Sequence, residues 1–426
     1  MSVKFEKKSS LKGDFYIPGD KSISHRAIML GAIAEGDTII NHFLRAEDCF
    51  DTIKCFQKLG ISIEEDEDRV IVHGKGLYGL SSPSLPLDVG NSGTTIRLMS
   101  GILAAQQFES EISGDNSIVR RPMERIISPL TQMGANIISK YNNDCAPLLI
   151  SPSKLSGIDY ISPIASAQVK SSILFAALYA DGITSVTEPY PSRNHTELMM
   201  SAFGATINSN YNKTELTPVD KLYSCEVTVP GDISSAAYFI TAALITPDSE
   251  IIIRNVGMNP TRNGFIDVVL SMGADIEIFN VKNGIEPTAD IIVRSSKLHG
   301  ITLEGEIIPR TLDEIPILAV LSCYAEGKTI IKDAGELKVK ESNRIDVMVS
   351  NLTKMGAHIE ATDDGMIIDG GYPLHGAIIG TKYDHRIAMS FAIAALGAEG
   401  KTEIIGSECV NISYPDFYED LKRLFM

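Results

Sequence analysis

Apolar positions along the chain fall into two recurring patterns. Segments 22–34, 94–105, 168–180 and 234–245 are Ala-rich and apolar on nearly every side. A helix with no polar stripe has no face to offer water, so these predict buried helices. Each is followed by a turn and a β-branched strand, as in Glu35-Gly36-Asp37-Thr38-Ile39-Ile40, and then by an amphipathic helix. That second helix runs into an apolar-Gly-Ala/Ile signature, found as Leu59-Gly60-Ile61, Met133-Gly134-Ala135, Phe203-Gly204-Ala205, Met272-Gly273-Ala274 and Met355-Gly356-Ala357. Glycine suits a helix C-terminus because it tolerates positive φ, and after each signature the pattern alternates as a strand does. The signature returns at intervals of roughly 70–80 residues, the mark of a structural repeat.

The same order reappears at 313–356, and a sixth copy runs from Asp384 to a helix at 415–425. The sixth copy has no room for its closing strand, and a strand near 13–18 is expected to supply it. Six units, three to a lobe, predict an α/β fold of two similar lobes. Each lobe holds three repeated βαβαββ-type units with buried helices and outer sheets, an inside-out α/β barrel. The first lobe is expected over 20–229 and the second over 1–19 plus 230–426, with an active site in the cleft between them.

Composition narrows the function. At 426 residues and 44% hydrophobic, the chain can build two to four domains of about 100–200 residues each. A net charge of −16 argues against nucleic-acid binding through a general basic surface. An acidic chain that binds anions must gather its basic residues in one place. Cys49, Cys55, Cys145, Cys225, Cys323 and Cys409 are scattered, with no CxxC pair, so neither a zinc site nor a disulfide framework is expected. The N-terminus has no apolar signal segment, and no apolar run approaches the ~20 residues that span a bilayer. A cytoplasmic protein, without membrane or metal, is expected.

Candidate chemistry gathers where the buried helices start. These starts read Asp20-Lys21-Ser22-Ile23-Ser24-His25-Arg26, Gly90-Asn91-Ser92-Gly93-Thr94-Thr95-Ile96-Arg97, Ser166-Ala167-Gln168-Val169-Lys170, Gly231-Asp232-Ile233-Ser234-Ser235, Asp313-Glu314-Ile315-Pro316 and Asp384-His385-Arg386. A helix N-terminus presents free N–H groups and about half a positive charge, a ready anion site. Capping alone would serve Asp232 and Ser234 equally well. It does not account for Lys21 and Arg26, because a cation at a helix start opposes the dipole and needs something anionic to offset it. Arg120-Arg121-Pro122-Met123-Glu124-Arg125 reads as another helix start, with Pro in its first turn. Lys338-Val339-Lys340-Glu341-Ser342-Asn343-Arg344 reads as a further one, with Lys340 and Arg344 on one face; a solvated charged face is the competing reading for both segments. Clustered Lys and Arg bind phosphate and carboxylate, and Asp313 at a buried helix start could act as a general base. With no metal-ligand cluster, no GxxxxGK[ST] and no dinucleotide fingerprint, the residues point to a metal-free transferase or lyase acting on small phosphorylated carboxylates.

At these motifs the chain resembles the 5-enolpyruvylshikimate-3-phosphate synthases, or 3-phosphoshikimate 1-carboxyvinyltransferases, over essentially its whole length. The resemblance rests on PGDKSISHR at 18–26, GNSGTTIRL at 90–98, RPMER at 121–125, SAQVK at 166–170, GDISSA at 231–236, KVKESNR at 338–344 and YDHRIAM at 383–389. It implies an enolpyruvyl transferase-like fold and transfer of the carboxyvinyl group of phosphoenolpyruvate to the 5-hydroxyl of shikimate 3-phosphate. Lys21, Ser22 and Arg26 would then hold shikimate 3-phosphate, with Lys21 also reaching phosphoenolpyruvate. Ser166, Ala167, Gln168, Ser192 and Arg193 would extend the shikimate phosphate site. Asn91, Gly93, Arg121, Arg344, His385 and Arg386 would bind substrate, chiefly phosphoenolpyruvate. Asp313 would take the 5-hydroxyl proton, Lys340 would bind substrate, and Lys340 or Glu341 would protonate the methylene carbon. A monomer without cofactor is implied.

Markers of the family's second subgroup are present as Arg193-x-His195-x-Glu197, Ser166-Ala167-Gln168-x-Lys170, Gly231-Asp232-x-Ser234 and Asn259-x-Thr261-Arg262. Members of that subgroup often tolerate glyphosate, although Gly93 stands where a tolerant variant has Ala. The chain departs from the family at Ile412, where many relatives have a Lys, and at Glu336-Leu337, where relatives often have Asn-Trp. Two other functions are weighed against this one. The sister UDP-N-acetylglucosamine 1-carboxyvinyltransferase usually carries a reactive Cys in the unit-two loop, and residues 106–121 here contain none. A non-catalytic anion-binding repeat protein would have no use for Asp313 beside Lys340 and Glu341.

Overall fold

The computed structural model of the chain describes every residue except Asp68 and Met426. Two compact lobes result, one formed by Gly19–Val229 and the other by Met1–Pro18 together with Pro230–Met426. The six polar starts open six apolar helices: Lys21–Ile33, Gly93–Leu103, Ala167–Ala177, Ile233–Ile245, Ile315–Tyr324 and His385–Gly397. These first to sixth buried helices supply the core. Every residue from Ile23 to Ile33 is buried, as is every residue from His385 to Leu396. In the second lobe the fourth, fifth and sixth helices share one apolar cluster that includes Phe239, Leu318 and Phe391. In the first lobe the second and third helices approach closely at Gly101, where an added Cβ would lie 2.1 Å from the Ser172 carbonyl oxygen.

Among the described residues these helices are accompanied by six sheets, five of four strands and one of three. In the five four-stranded sheets a short parallel strand lies beside the strand that follows the buried helix, with two antiparallel strands beyond. In the second unit this order is Leu87–Asp88, Ser110–Ser113, Leu148–Ser151 and Asn136–Ser139. Thr288–Arg294 shows the sidedness of the sheets: Ala289, Ile291 and Val293 are buried and their neighbours are not. All five signature glycines adopt positive φ, from 87° at Gly60 to 97° at Gly273. Each closes a Schellman turn. At the first, Gly60 N–H donates to Gln57 and Ile61 N–H to Phe56, and the same pair of bonds recurs at Gly134, Gly204, Gly273 and Gly356.

One strand assignment needs correcting. The strand Lys12–Tyr16 does not close the sixth unit. It pairs parallel with Glu250–Gly257 in the fourth, while Glu226–Thr228 pairs parallel with Glu35–Asn41 in the first. The strand entering each lobe's first buried helix therefore stays in the sheet of the lobe it leaves. The sixth unit is completed by Ser2–Glu6, antiparallel to Lys401–Ile405. One edge of Lys401–Ile405 is taken by Ile378–Gly380, so Ser2–Glu6 adds at the other. Phe5 on the added strand is buried and packs on Tyr418, joining an aromatic group with Phe239, Tyr414 and Phe417.

Candidate functional site

Each lobe builds its own cluster. In the first lobe, Asp20, Ser92 and Ser166 are side-chain caps, accepting from the N–H groups of Ile23, Thr95 and Val169. Lys21 is the first residue of its helix, and its ammonium lies 2.9 Å from Asp48 Oδ2. The anion demanded by a cation at a helix start is met here by a carboxylate of the following helix. Arg26 is 3% exposed. Its Nε donates to Thr196 Oγ1 at 2.6 Å, Nη2 to Ser171 Oγ at 2.9 Å and Nη1 to the Ser22 carbonyl at 2.9 Å. Arg26 thus ties the first helix to the third and to His195–Ala202.

Gly93 sits between two guanidinium groups, since an added Cβ would meet Arg97 Nη1 and Arg121 Nη1 at 3.0 Å each. Arg121 donates to Asn91 Oδ1 and Ser117 Oγ, both at 2.9 Å. Arg97 donates to Gln168 Oε1 at 2.6 Å, and the Gln168 amide reaches Thr94 Oγ1. Asn91, Gly93, Arg121 and Gln168 are therefore brought together, with Ser166 and Ala167 at the adjoining helix start. Ser192 is drawn inward: its hydroxyl donates to Glu188 Oε2 at 2.8 Å. Arg193 beside it is partly exposed.

Lys170 contributes no open positive charge to this face. Its ammonium is 2.9 Å from Glu188 and 2.8 Å from Glu197, all three side chains being buried. Burial opposes the charge, but Glu197 and Glu188 outweigh it and hold the Lys170 pKa above the ordinary value. Glu188 also accepts the Ser166 N–H at 2.8 Å, so one carboxylate links two of the serines singled out by sequence.

In the second lobe Arg344 is 1% exposed and Asp384 0%. Arg344 Nε donates to Asp384 Oδ2 at 2.8 Å and Nη2 reaches Glu341 at 2.5 Å. Asp313 lies 3.7 Å from both Arg344 Nη1 and Arg386 Nη2, and its carbonyl accepts from Arg386 Nη1 at 2.8 Å. Burial opposes both guanidinium charges. Asp384 and Glu341 around Arg344, and Asp313 chiefly around Arg386, more than offset this and hold both pKa values up. His385 is the first residue of the sixth helix and is 1% exposed. Lys340 lies 3.6 Å from Glu336. Loss of water around its ammonium lowers its pKa from 10.5, against the pull of Glu336, Asp313 and Glu341.

Two local expectations are corrected. Pro122 precedes the N-cap Met123 of Glu124–Gln132, so it stands outside the first turn, and a different proline, Pro129, is inside the helix. Lys340 and Arg344 do not share a helical face. The helix begins at Arg344, capped by Asn343, whose side chain accepts from Asp346 N–H, and Lys340 is extended at the end of a 3-10 turn. A strong local cap wins over the basic spacing. At the two departures from the family pattern, Leu337 is fully buried, and Ile412 ends a 3-10 turn and packs on the second lobe's core.

Sequence reasoning looked for cations and so passed over the acids that hold them. Asp48, Glu188, Glu314 and Asp384 are all buried beside Lys or Arg. The available signal was an acidic residue at a helix start next to a cation, as in Asp384-His385-Arg386. Among the described residues, no group of His, Cys, Asp and Glu side chains is arranged to hold a metal ion, and no helix is long and apolar enough to cross a membrane.

Helix-cored lobes of repeated units, with arginines and a carboxylate gathered at the helix starts, define the enolpyruvyl transferase-like class of α/β proteins. Residues 5–421 match the family EPSP synthase (3-phosphoshikimate 1-carboxyvinyltransferase). A 3-phosphoshikimate 1-carboxyvinyltransferase of Thermoanaerobacter sp. (strain X514) is 56% identical over 425 residues, covering 100% of both chains. One from Bacillus thuringiensis subsp. konkukian (strain 97-27) is 54% identical over 417 residues, covering 98% of this chain and 97% of that one. The solved EPSP synthase of Acinetobacter baumannii matches with a TM-score of 0.88 at 44% identity, over 100% of this chain and 98% of its own. The chain belongs to the EPSP synthase family, and the fold expected from the repeat is borne out.

Proposed function

We propose that the two clusters serve one reaction: the transfer of the carboxyvinyl group of phosphoenolpyruvate to the 5-hydroxyl of shikimate 3-phosphate, with release of phosphate, which this enzyme performs in the shikimate pathway. Lys21, Ser22, Arg26, Ser166, Ala167, Gln168, Ser192 and Arg193 hold shikimate 3-phosphate. Asn91, Gly93, Arg121, Arg344, His385 and Arg386 serve phosphoenolpyruvate, which Lys21 also reaches. Asp313 takes the 5-hydroxyl proton as the oxygen bonds to C2 of phosphoenolpyruvate. Lys340 or Glu341 delivers a proton to C3, giving a tetrahedral adduct. Loss of a C3 proton then expels phosphate and restores the double bond.

The observation that carries this reading is Asp313, a partly exposed carboxylate 3.7 Å from each of two buried guanidiniums, Arg344 and Arg386. That places a proton acceptor beside cations suited to phosphate and carboxylate. Phosphate release with both substrates tests it. Asp313→Asn should lose turnover and still bind shikimate 3-phosphate; full activity in that variant, or turnover only with a UDP-amino sugar as acceptor, would overturn it.

Glyphosate competes with phosphoenolpyruvate at the same arginines, and tolerance follows from the subgroup markers; strong competitive inhibition at low micromolar glyphosate would reject tolerance. The protein is a cytoplasmic monomer, a reading supported by its six free thiols and the family resemblance, and checked by light scattering and fractionation.

A further inference from the structure

Two subgroup markers of the second lobe, Gly231-Asp232-x-Ser234 and Asn259-x-Thr261-Arg262, converge on a residue neither contains. Glu314 is the N-cap position of the fifth buried helix and is fully buried. Its carboxylate faces Arg262 Nη1 at 3.2 and 3.3 Å and accepts the Ser234 hydroxyl proton. Arg262 Nη2 donates to the same Ser234 Oγ at 2.5 Å and lies 3.5 Å from Asp232. Arg386 Nη2 also reaches that oxygen, at 3.5 Å.

A hydroxyl has one proton and two lone pairs. At Ser234 the proton goes to Glu314, and the lone pairs face Arg262 and Arg386. With its proton held by Glu314, Ser234 turns a lone pair toward Arg386. Arg262 compensates the buried Glu314 carboxylate, which would be costly to bury without a partner. Glu314 also follows Asp313, whose carbonyl receives Arg386 Nη1 and whose carboxylate faces Arg386 and Arg344. Asp313 thus faces the arginines while Glu314 fixes the same backbone from behind.

We propose that Glu314, with Ser234 and Arg262, is a positioning residue that sets the guanidinium of Arg386 and the carboxylate of Asp313 for carboxyvinyl transfer. This rests on the assignment of Arg386 to phosphoenolpyruvate and of Asp313 as base.

The test is steady-state kinetics on the full chain for Glu314→Gln, Ser234→Ala and the double variant, with thermal melting alongside. Each single variant should raise KM for phosphoenolpyruvate about tenfold, the consequence of one misaligned charge-assisted hydrogen bond, while KM for shikimate 3-phosphate stays within about twofold. The double variant should be little worse than either single one, because both break the same chain of bonds. If Glu314→Gln fails to fold, Ser234→Ala decides, since it removes only a hydroxyl. Unchanged KM values, or parallel rises for both substrates that track a loss of melting temperature, would overturn the proposal. Arg386→Lys separates the two levels. If it leaves KM for phosphoenolpyruvate unmoved, the site assignment itself fails, and this inference with it. If it raises that KM while Ser234→Ala does not, only the positioning role fails.

Discussion

Arg344 and Asp384 form a buried ion pair, with Arg344 Nε 2.8 Å from Asp384 Oδ2 and exposures of 1% and 0%. The same carboxylate caps the sixth buried helix by accepting Arg386 N–H at 3.0 Å. It also accepts the Ser342 hydroxyl at 3.0 Å. One acid therefore fixes a side chain of one arginine and the backbone of the other. Asp384→Asn preserves the shape and removes the charge that Arg344 was folded around. Unfolding in urea should show a loss of about 3 kcal/mol, the usual scale for breaking a buried pair from one side. A loss under about 1 kcal/mol, the range of exposed pairs, would mean that Glu341 and Asp313 suffice for Arg344.

Gly93→Ala places a methyl group 3.0 Å from both Arg97 Nη1 and Arg121 Nη1. Those are the far ends of flexible side chains, so they shift and the fold survives. One of the displaced guanidiniums, that of Arg121, serves phosphoenolpyruvate in the proposed site, and the other, that of Arg97, holds Gln168. KM for phosphoenolpyruvate and the glyphosate inhibition constant should both rise severalfold, with melting temperature unchanged. Equal inhibition of the two proteins would count against Gly93 lining that site.

His25 is buried on the first helix, its Nδ1 2.7 Å from Thr52 Oγ1. Burial, with Lys21 and Arg26 nearby, lowers its pKa well below 6.5. The unfolded chain then binds a proton that the folded chain refuses. The contribution of His25 to stability is present above pH 6.5 and is lost progressively as pH falls below it. Melting temperature should drop over that range, and His25→Gln should flatten the drop. An equally steep drop in the variant would assign it to other groups.

Lys340 has its pKa lowered from 10.5, so it loses its proton at a lower pH than a free lysine. If the charged form binds substrate or donates to C3, the alkaline limb of kcat/KM falls below pH 10.5. Lys340→Arg keeps a positive charge that does not titrate there, and any remaining activity should lose that limb. A limb unmoved by the substitution would belong to another residue.

Much of this architecture was legible in the chain because it is local. Gly60, Gly134, Gly204, Gly273 and Gly356 end their helices through bonds that reach back at most five residues. The all-apolar helices announce their own burial, and the short polar starts mark where ligands can approach backbone N–H groups. The pairing of Ser2–Glu6 and Lys12–Tyr16 was not legible, because both are short strands and their partners lie more than 200 residues away. Composition could not decide which sheet had a vacant edge.

The candidate site divides in the same way. The sequence by itself determined the repeat, the six buried helices and the cations Lys21, Arg26, Arg121, Arg344 and Arg386 at or beside helix starts, since residue type and periodicity are properties of the chain alone. Only the tertiary structure decided which of those charges are already met from within. Lys170 is held by Glu188 and Glu197, Lys21 meets Asp48, and Arg344 is enclosed by Asp384, Glu341 and Asp313. The reason is electrostatic. An ion pair depends on distance and on the water removed around it, and both are set when segments far apart in the chain pack together.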